Sequence, residues 1–314
     1  MDVWWIVLGV AAGLVLLALL TAFICFYLAC YVPKRRPVDK DAFDLPPGAI
    51  YEPFRDTMVA WMKETRALPH EEVSIVSFDG LTLRGKYYEY APDAPIELML
   101  HGYRGTSERD LCGGVQRCFA LGRNVLIVDL RACGNSDGHV ISFGVNESRD
   151  CLDWIAFIVQ RFGPNSRIIL TGISMGAATV MMTAAKPLPG NVIGILADCG
   201  YTSARDIINK VIRQLKLPAD LLYPFVRLGA RLYGGFDLEE TPPLEAMKCC
   251  PVPIIFVHGE DDDYVPCDMS RRNYEACTAP KTLLTVPGAG HGLAYLVDRE
   301  NYLKTVKAFS QQYV

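Results

Sequence analysis

Gly172-Ile173-Ser174-Met175-Gly176 decides how this chain is read. The run before it, Arg167-Ile168-Ile169-Leu170-Thr171, has the length and β-branched content of a buried strand. The run after it, Ala177 to Met182, is small and apolar and reads as a buried helix. A serine between two glycines at a strand-to-helix turn is the setting of a nucleophile elbow. The turn is so tight that small residues are needed on both sides, and the hydroxyl is left exposed above it. Without that setting the match would be a plain turn carrying a surface serine, because short motifs recur by chance.

A serine hydroxyl is a weak nucleophile at neutral pH. It needs a base, a group that orients the base, and donors for the developing oxyanion. In sites built on this turn the chain order is serine, acid, histidine. Of His70, His101, His139, His258 and His291, only the last two follow Ser174. His258 ends the apolar run from Pro253 to Val257, so it reads as a strand-end hydrogen-bonding residue. His291 lies in Pro287-Gly288-Ala289-Gly290-His291-Gly292, a glycine-flanked loop after the strand Thr282 to Val286, and is the expected base. The acid is open on chemistry alone. Glu260, Asp261, Asp262 and Asp263 stand together, and Asp198 ends the strand run from Val192 to Ala197. The oxyanion donors are expected to be the backbone N–H groups of Met175, after the serine, and of Tyr103, in the loop after the strand Ile96 to Leu100.

Taken in order, four segments resemble the α/β-hydrolase superfamily of serine hydrolases. They are His101-Gly102-Tyr103-Arg104-Gly105, the stretch from Asp129 to Ser136, the turn at 172–176, and His258-Gly259-x-x-Asp262-x-x-Val265-Pro266. The resemblance runs from about residue 70 to the end. It is nearest to membrane-anchored bacterial members and more distant to the abhydrolase-domain membrane lipases and depalmitoylases of eukaryotes. The family pattern H-G-x-x-D-x-x-V-P implies Asp262 as the acid, giving Ser174, Asp262 and His291 as the catalytic set. Cys133 stands where many relatives carry histidine, so that loop supplies no second base. The implied fold is α/β, a mostly parallel sheet with helices on both faces. The implied reaction is hydrolysis of carboxylic acyl esters through an acyl-enzyme, with lipid-like or acylated substrates. An amide or peptide hydrolase with the same residues is the alternative within enzymes, and a non-catalytic membrane-anchored binding protein is the alternative outside them. The fold does not fix the substrate.

The start of the chain differs in kind. Val3 to Val32 carries no charge, long enough for a single-pass span. Trp4 and Trp5 at one end and Tyr27 and Tyr31 at the other resemble interfacial aromatic belts. A cleaved signal peptide is the rival, but it lacks a basic start, and Leu28-Ala29-Cys30 only faintly suggests a lipoprotein site. Lys34, Arg35, Arg36 and Lys40 follow the span and only Asp2 precedes it, which predicts a cytoplasmic catalytic domain. The 11 cysteines form no C-x-x-C pair or zinc-site spacing, which suits a reducing compartment and predicts no metal and no cofactor. A net charge of −4 without a basic stripe argues against nucleic acid as a partner.

The expected organisation is an anchor over 1–33, a linker and amphipathic helix over 34–70, and the hydrolase domain over 71–314. Tyr51, Phe54, Met58, Trp61 and Met62 recur at helical spacing and are expected to pack on the domain. Asp79-Gly80 is expected to turn a hairpin between Glu72–Phe78 and Leu81–Tyr90. Residues 201–250 interrupt the alternation of strands and helices and are expected to form a helical cap. Its apolar residues Leu221, Leu222, Phe225, Val226, Leu228 and Leu232 are expected mostly to dock the cap, with two or three facing substrate.

Overall fold

The computed structural model describes residues 3–33 and 42–314. Its frame is an eight-stranded sheet in the order β1-β2-β4-β3-β5-β6-β7-β8. Strands β1 (Glu71–Val76) and β2 (Thr82–Tyr88) form the antiparallel hairpin, and β2 runs antiparallel to β4 (Asn124–Asp129). From there β3 (Ile96–Leu100), β5 (Ile168–Ile173), β6 (Val192–Asp198), β7 (Ile254–Gly259) and β8 (Lys281–Val286) are parallel. Strands β3, β4 and β7 are buried at every residue. That is why they read as unbroken apolar runs rather than alternating ones, since parallel strands are covered on both faces.

The helices are α1 (Val3–Ala29), α2 (Arg55–Ala67), α3 (Ser107–Asp110), α4 (Gly114–Ala120), α5 (Val145–Phe162), α6 (Met175–Ala184), α7 (Ala204–Gln214), α8 (Ala219–Gly229), α9 (Pro243–Met247), α10 (Cys267–Ala276), α11 (Ala294–Val297) and α12 (Arg299–Tyr313). Leu98, Leu170, Ile195 and Phe256 share a core with α5, α6, α9 and α10 on one face. Their neighbours one residue on, Met99, Leu196 and Val257, pack with α4, α11 and α12 on the other. The period of two in β-strands divides each strand between the two layers.

A charged residue stands in the middle strand of this largely apolar sheet. Glu97 of β3 is fully buried and accepts hydrogen bonds from Arg117 of α4, from Arg123 Nη1 at 2.6 Å and from Thr171 Oγ1 at 2.7 Å. Burial alone would raise its pKa, but the two guanidiniums and Thr171 hold it down at about 2. The network ties β3, α4 and β5 together beneath the site.

The 201–250 insertion is helical, as expected, but its place differs. Helix α8 and the π-helical turn Ala230–Gly234 pack along the C-terminal half of α1, where Ala22 and Phe26 are buried. Pro224 falls inside α8. Helix α1 is long and apolar enough to cross a membrane and is otherwise mostly exposed. Just beyond it, Tyr31 bridges to Val140 and Ile141 N donates to Cys30 O at 2.8 Å, so the helix is joined to the domain by backbone. The orientation signal Lys34, Arg35, Arg36 and Lys40 lies outside the described residues.

Replacing Glu97 would leave two buried arginines without their counter-charge. Breaking a buried pair in this way costs about 3–5 kcal/mol. Glu97→Gln is therefore expected to lower the urea unfolding midpoint markedly, with most of the loss recovered if Arg117 is also replaced by methionine. A midpoint unchanged from wild type would contradict this.

Candidate active site

The turn between β5 and α6 is held by close backbone packing. A Cβ on Gly172 would lie 2.1 Å from the Gly176 carbonyl oxygen, and a Cβ on Gly176 would lie 2.1 Å from the Leu100 carbonyl oxygen. Both positions must therefore be glycine. Ser174 between them takes φ of +55° with ψ of −115°, a conformation that L-residues rarely adopt. Its N–H donates to Asp198 O at 2.8 Å, which fixes the strained residue to the end of β6.

Above this turn three side chains meet. His291 Nε2 lies 2.9 Å from Ser174 Oγ, and His291 Nδ1 lies 2.7 Å from Asp262 Oδ2. Asp262 is buried and fully engaged. Its Oδ1 accepts from the N–H groups of Tyr264 (2.9 Å) and Val265 (2.8 Å), and its Oδ2 also lies 3.2 Å from His258 Nε2. Burial opposes its ionisation, but the hydrogen bonds and charge of His258 and His291 outweigh burial and hold it well below the usual carboxylate range. An ionised Asp262 makes His291 Nδ1 the protonated nitrogen and leaves Nε2 to accept from Ser174.

His258 has the structural place its sequence position implies. It is fully buried between Ser270 Oγ (2.6 Å) and Val265 O (2.8 Å). The rival acid, Asp198, makes no hydrogen bond to His291 among the described residues. Its Oδ2 is 3.5 Å from Tyr302 Oη, its Oδ1 has no partner among the described residues, and burial raises its pKa to about 6. Asp198 and the loop acids were alike in sequence because chemistry alone cannot choose among carboxylates. Geometry separates them by the bonds each makes.

The loop after β3 carries the second expected donor. His101 is buried, with Nδ1 2.8 Å from Gly102 O and Nε2 accepting from Leu130 N at 3.0 Å. This bond pattern assigns the proton to Nδ1 and pins the loop's first turn. The N–H groups of Met175 and Tyr103 make no backbone hydrogen bond among the described residues. Met175 opens α6, where helix N–H groups lack intrahelical acceptors. The far side of the loop is braced by α1, a contact with no signal in the residue pattern. Tyr103 Oη donates to Ala29 O at 2.6 Å, and Arg104 Nη2 donates to Leu28 O (2.9 Å) and Tyr31 O (3.0 Å). The last carbonyls of a helix lack intrahelical donors, and a guanidinium is a fitting cap for them.

A cavity of about 400 Å³ opens beside Ser174 and His291. Its walls include Ile50, Met58 and Trp61 from the segment before the sheet, and Leu111, Leu196 and Leu296 from the body. Tyr51 also donates to His291 O at 3.1 Å, and the Tyr264 ring stands edge-on to His291 at 5.1 Å. No residue of 201–250 lines it. This corrects the expectation that two or three of Leu221, Leu222, Phe225, Val226, Leu228 and Leu232 face substrate. The cover comes from residues 46–61 and the loop after β3, because the insertion is occupied with α1. The apolar stripe from Tyr51 to Met62 was visible in sequence, but a stripe does not say which surface it meets.

One cluster offers a metal reading. Cys199, Asp262 and His291 each place a ligand atom within 4.8 Å of the others. Burial, with the charges of Asp198 and Asp262, pushes the Cys199 thiol well above its usual range, which disfavours the thiolate a metal needs. Asp262 and His291 already spend those atoms on each other.

A family model described as "Alpha/beta hydrolase family" matches residues 98–304. The Bacillus subtilis protein YqkD is 31% identical over 190 residues, 60% of this chain and 62% of that one. The lysophosphatidylserine lipase ABHD12 of Danio rerio is 25% identical over 211 residues, 63% of this chain and 52% of that one. Among solved structures, the Pyrococcus furiosus esterase Pf2001 superimposes with a TM-score of 0.65 at 20% identity, covering 90% of this chain and 98% of that one.

The two acids make opposite predictions. Asp262→Asn should lower kcat by up to ~10⁴-fold, since an amide holds the wrong tautomer of the histidine, as in the serine-protease precedent. Asp198→Asn should cost far less, because its side chain makes no hydrogen bond to the relay. Steady-state turnover of both variants checks this, and a larger loss with Asp198→Asn would reverse the assignment.

Proposed function

The chain belongs to the alpha/beta hydrolase family, and from that premise we propose that it is a serine hydrolase cleaving carboxylic acyl esters. The observation that carries this reading is the relay of hydrogen bonds from Asp262 through His291 to Ser174, at 2.7 and 2.9 Å. Ser174 Oγ attacks the acyl carbon while His291 Nε2 takes its proton. The N–H groups of Met175 and Tyr103 receive the oxyanion, each such donor typically supplying roughly 3–4 kcal/mol of barrier reduction. His291 then returns the proton to the departing alcohol, leaving an ester between the acyl group and Ser174. Water, activated by the same histidine, releases the acid and restores the serine.

The walls of the cavity support this substrate class. Met58, Trp61, Leu111 and Leu196 suit an acyl chain. The lipase activity in the name of the Danio rerio relative points the same way. No residue in this scheme calls for a metal or cofactor. The domain reading that goes with it is a membrane anchor over 1–33, a linker and amphipathic helix over 34–70 and a catalytic body over 71–314, in which the insertion at 201–250 braces the anchor. A cytoplasmic location for that body rests on the charges after the span.

The test uses the full chain in detergent with p-nitrophenyl esters of graded acyl length. Ser174→Ala and His291→Ala should each lower kcat by at least about 10³-fold, and the double variant should lose little more, because such residues act as a unit. The matching p-nitroanilides should turn over much more slowly than the esters. Substantial turnover by Ser174→Ala would sink the proposal.

A further inference from the structure

Helix α8 and its π-helical end pack against α1. Gly229 packs so closely that a Cβ there would lie 2.3 Å from Ala22 O. Tyr233 Oη donates to Leu19 O at 3.1 Å, and its ring meets Phe23 at 5.4 Å. The charged side chains of this segment are paired within the insertion: Arg227 with Asp237 at 2.8 Å and Glu239 at 2.5 Å, Arg231 with Asp237 at 2.5 Å, and the exposed Asp220 with Arg213 at 3.3 Å. Its other face is uncovered among the described residues. Leu221, Pro224, Leu228 and Leu232 are exposed at spacings of three and four residues, which is one stripe of a helix. Leu221 is 61% exposed and Leu232 is 53% exposed. Leu20 and Ile24 of α1 are exposed as well.

We propose that this stripe, ending in Tyr233, is a lipid-contacting surface that seats the domain in the leaflet where α1 emerges. The inference rests on reading α1 as a membrane span and the cavity as an ester-hydrolase site. Length supports the seating. From Trp5 to Tyr27 at ~1.5 Å per residue is roughly 33 Å, close to the ~30 Å hydrocarbon core, so Tyr27 marks the interface. Tyr233 meets α1 one to two turns inside Tyr27, and an interfacial helix buries its apolar face ~5–10 Å deep. Tyr103 and Arg104, which line the cavity, are bonded to the carbonyls of Leu28, Ala29 and Tyr31 just outside Tyr27. The cavity is thereby held at headgroup level. Its substrate is an acyl ester resident in the bilayer, taken from the leaflet rather than from water.

The full chain is reconstituted into phosphatidylcholine–phosphatidylglycerol vesicles with photoreactive p-benzoylphenylalanine in place of Leu232. Irradiation should give lipid adducts at that position. Adducts to a second copy alone, or none to lipid, would overturn the proposal. The double variant Leu228→Glu, Leu232→Glu should lower the ratio of vesicle-embedded long-chain ester hydrolysis to p-nitrophenyl acetate hydrolysis by about tenfold, since charge is costly on a lipid face. An unchanged ratio would also overturn it. Failure of the hydrolase reading shows separately, as no p-nitrophenyl acetate turnover by wild type, and the adducts still decide the surface.

Discussion

Everything at this site depends on how closely the β5–α6 turn approaches β3. Gly176 lies against the Leu100 carbonyl with no room for a methyl group, and Gly172 lies as close to Gly176. That contact forces Ser174 to φ of +55° and lifts its side chain above the sheet. A residue held in such a conformation costs of order 1–3 kcal/mol and persists only where its surroundings over-determine it. Here the surroundings are two neighbouring strands, a helix buried at all ten of its residues, and the bond from Ser174 N to Asp198 O. The Glu97 network under β3 adds to that rigidity from below.

Once the serine is fixed, the remaining groups need only reach it from strand ends. His291 comes from the loop after β8 and Asp262 from the loop after β7, which are adjacent parallel strands. Asp262 is pre-set by two backbone N–H groups and His258 before it meets His291. The less expected support is α1. Its last carbonyls hold Tyr103 and Arg104, so the helix is part of the loop that faces the serine as well as a candidate anchor. A chain cut after Ala29 would lose the bonds to the Leu28 and Ala29 carbonyls.

Much of this was legible in the sequence, for physical reasons. Parallel strands buried on both faces leave continuous apolar runs, and the elbow glycines are dictated by a contact that no other residue survives. The hairpin and the strand-end place of His258 followed from local chemistry, although Phe78 joins Asp79-Gly80 in the turn, since Ser77 N donates to Leu81 O at 2.8 Å. The acid did not. Asp198 and Asp262 differ in the bonds that the fold brings to them, and only the family pattern separated them beforehand. Nor did the destination of the insertion: Leu221, Leu228 and Leu232 showed an apolar face, but whether it met substrate, body or α1 depends on tertiary placement. The roof over the cavity was misplaced for the same reason, because Met58 and Trp61 announced packing without naming the surface.

The central claim is that Ser174 is activated by His291 and Asp262. The most direct measurement is labelling of the full chain with a fluorophosphonate, followed by mass spectrometry of the peptides. An activated serine displaces fluoride and keeps the phosphonyl group, whereas an ordinary hydroxyl does not react. The account predicts a single adduct on Ser174 that disappears in His291→Ala. An intact chain with no adduct, or with the adduct on a different serine, would contradict it.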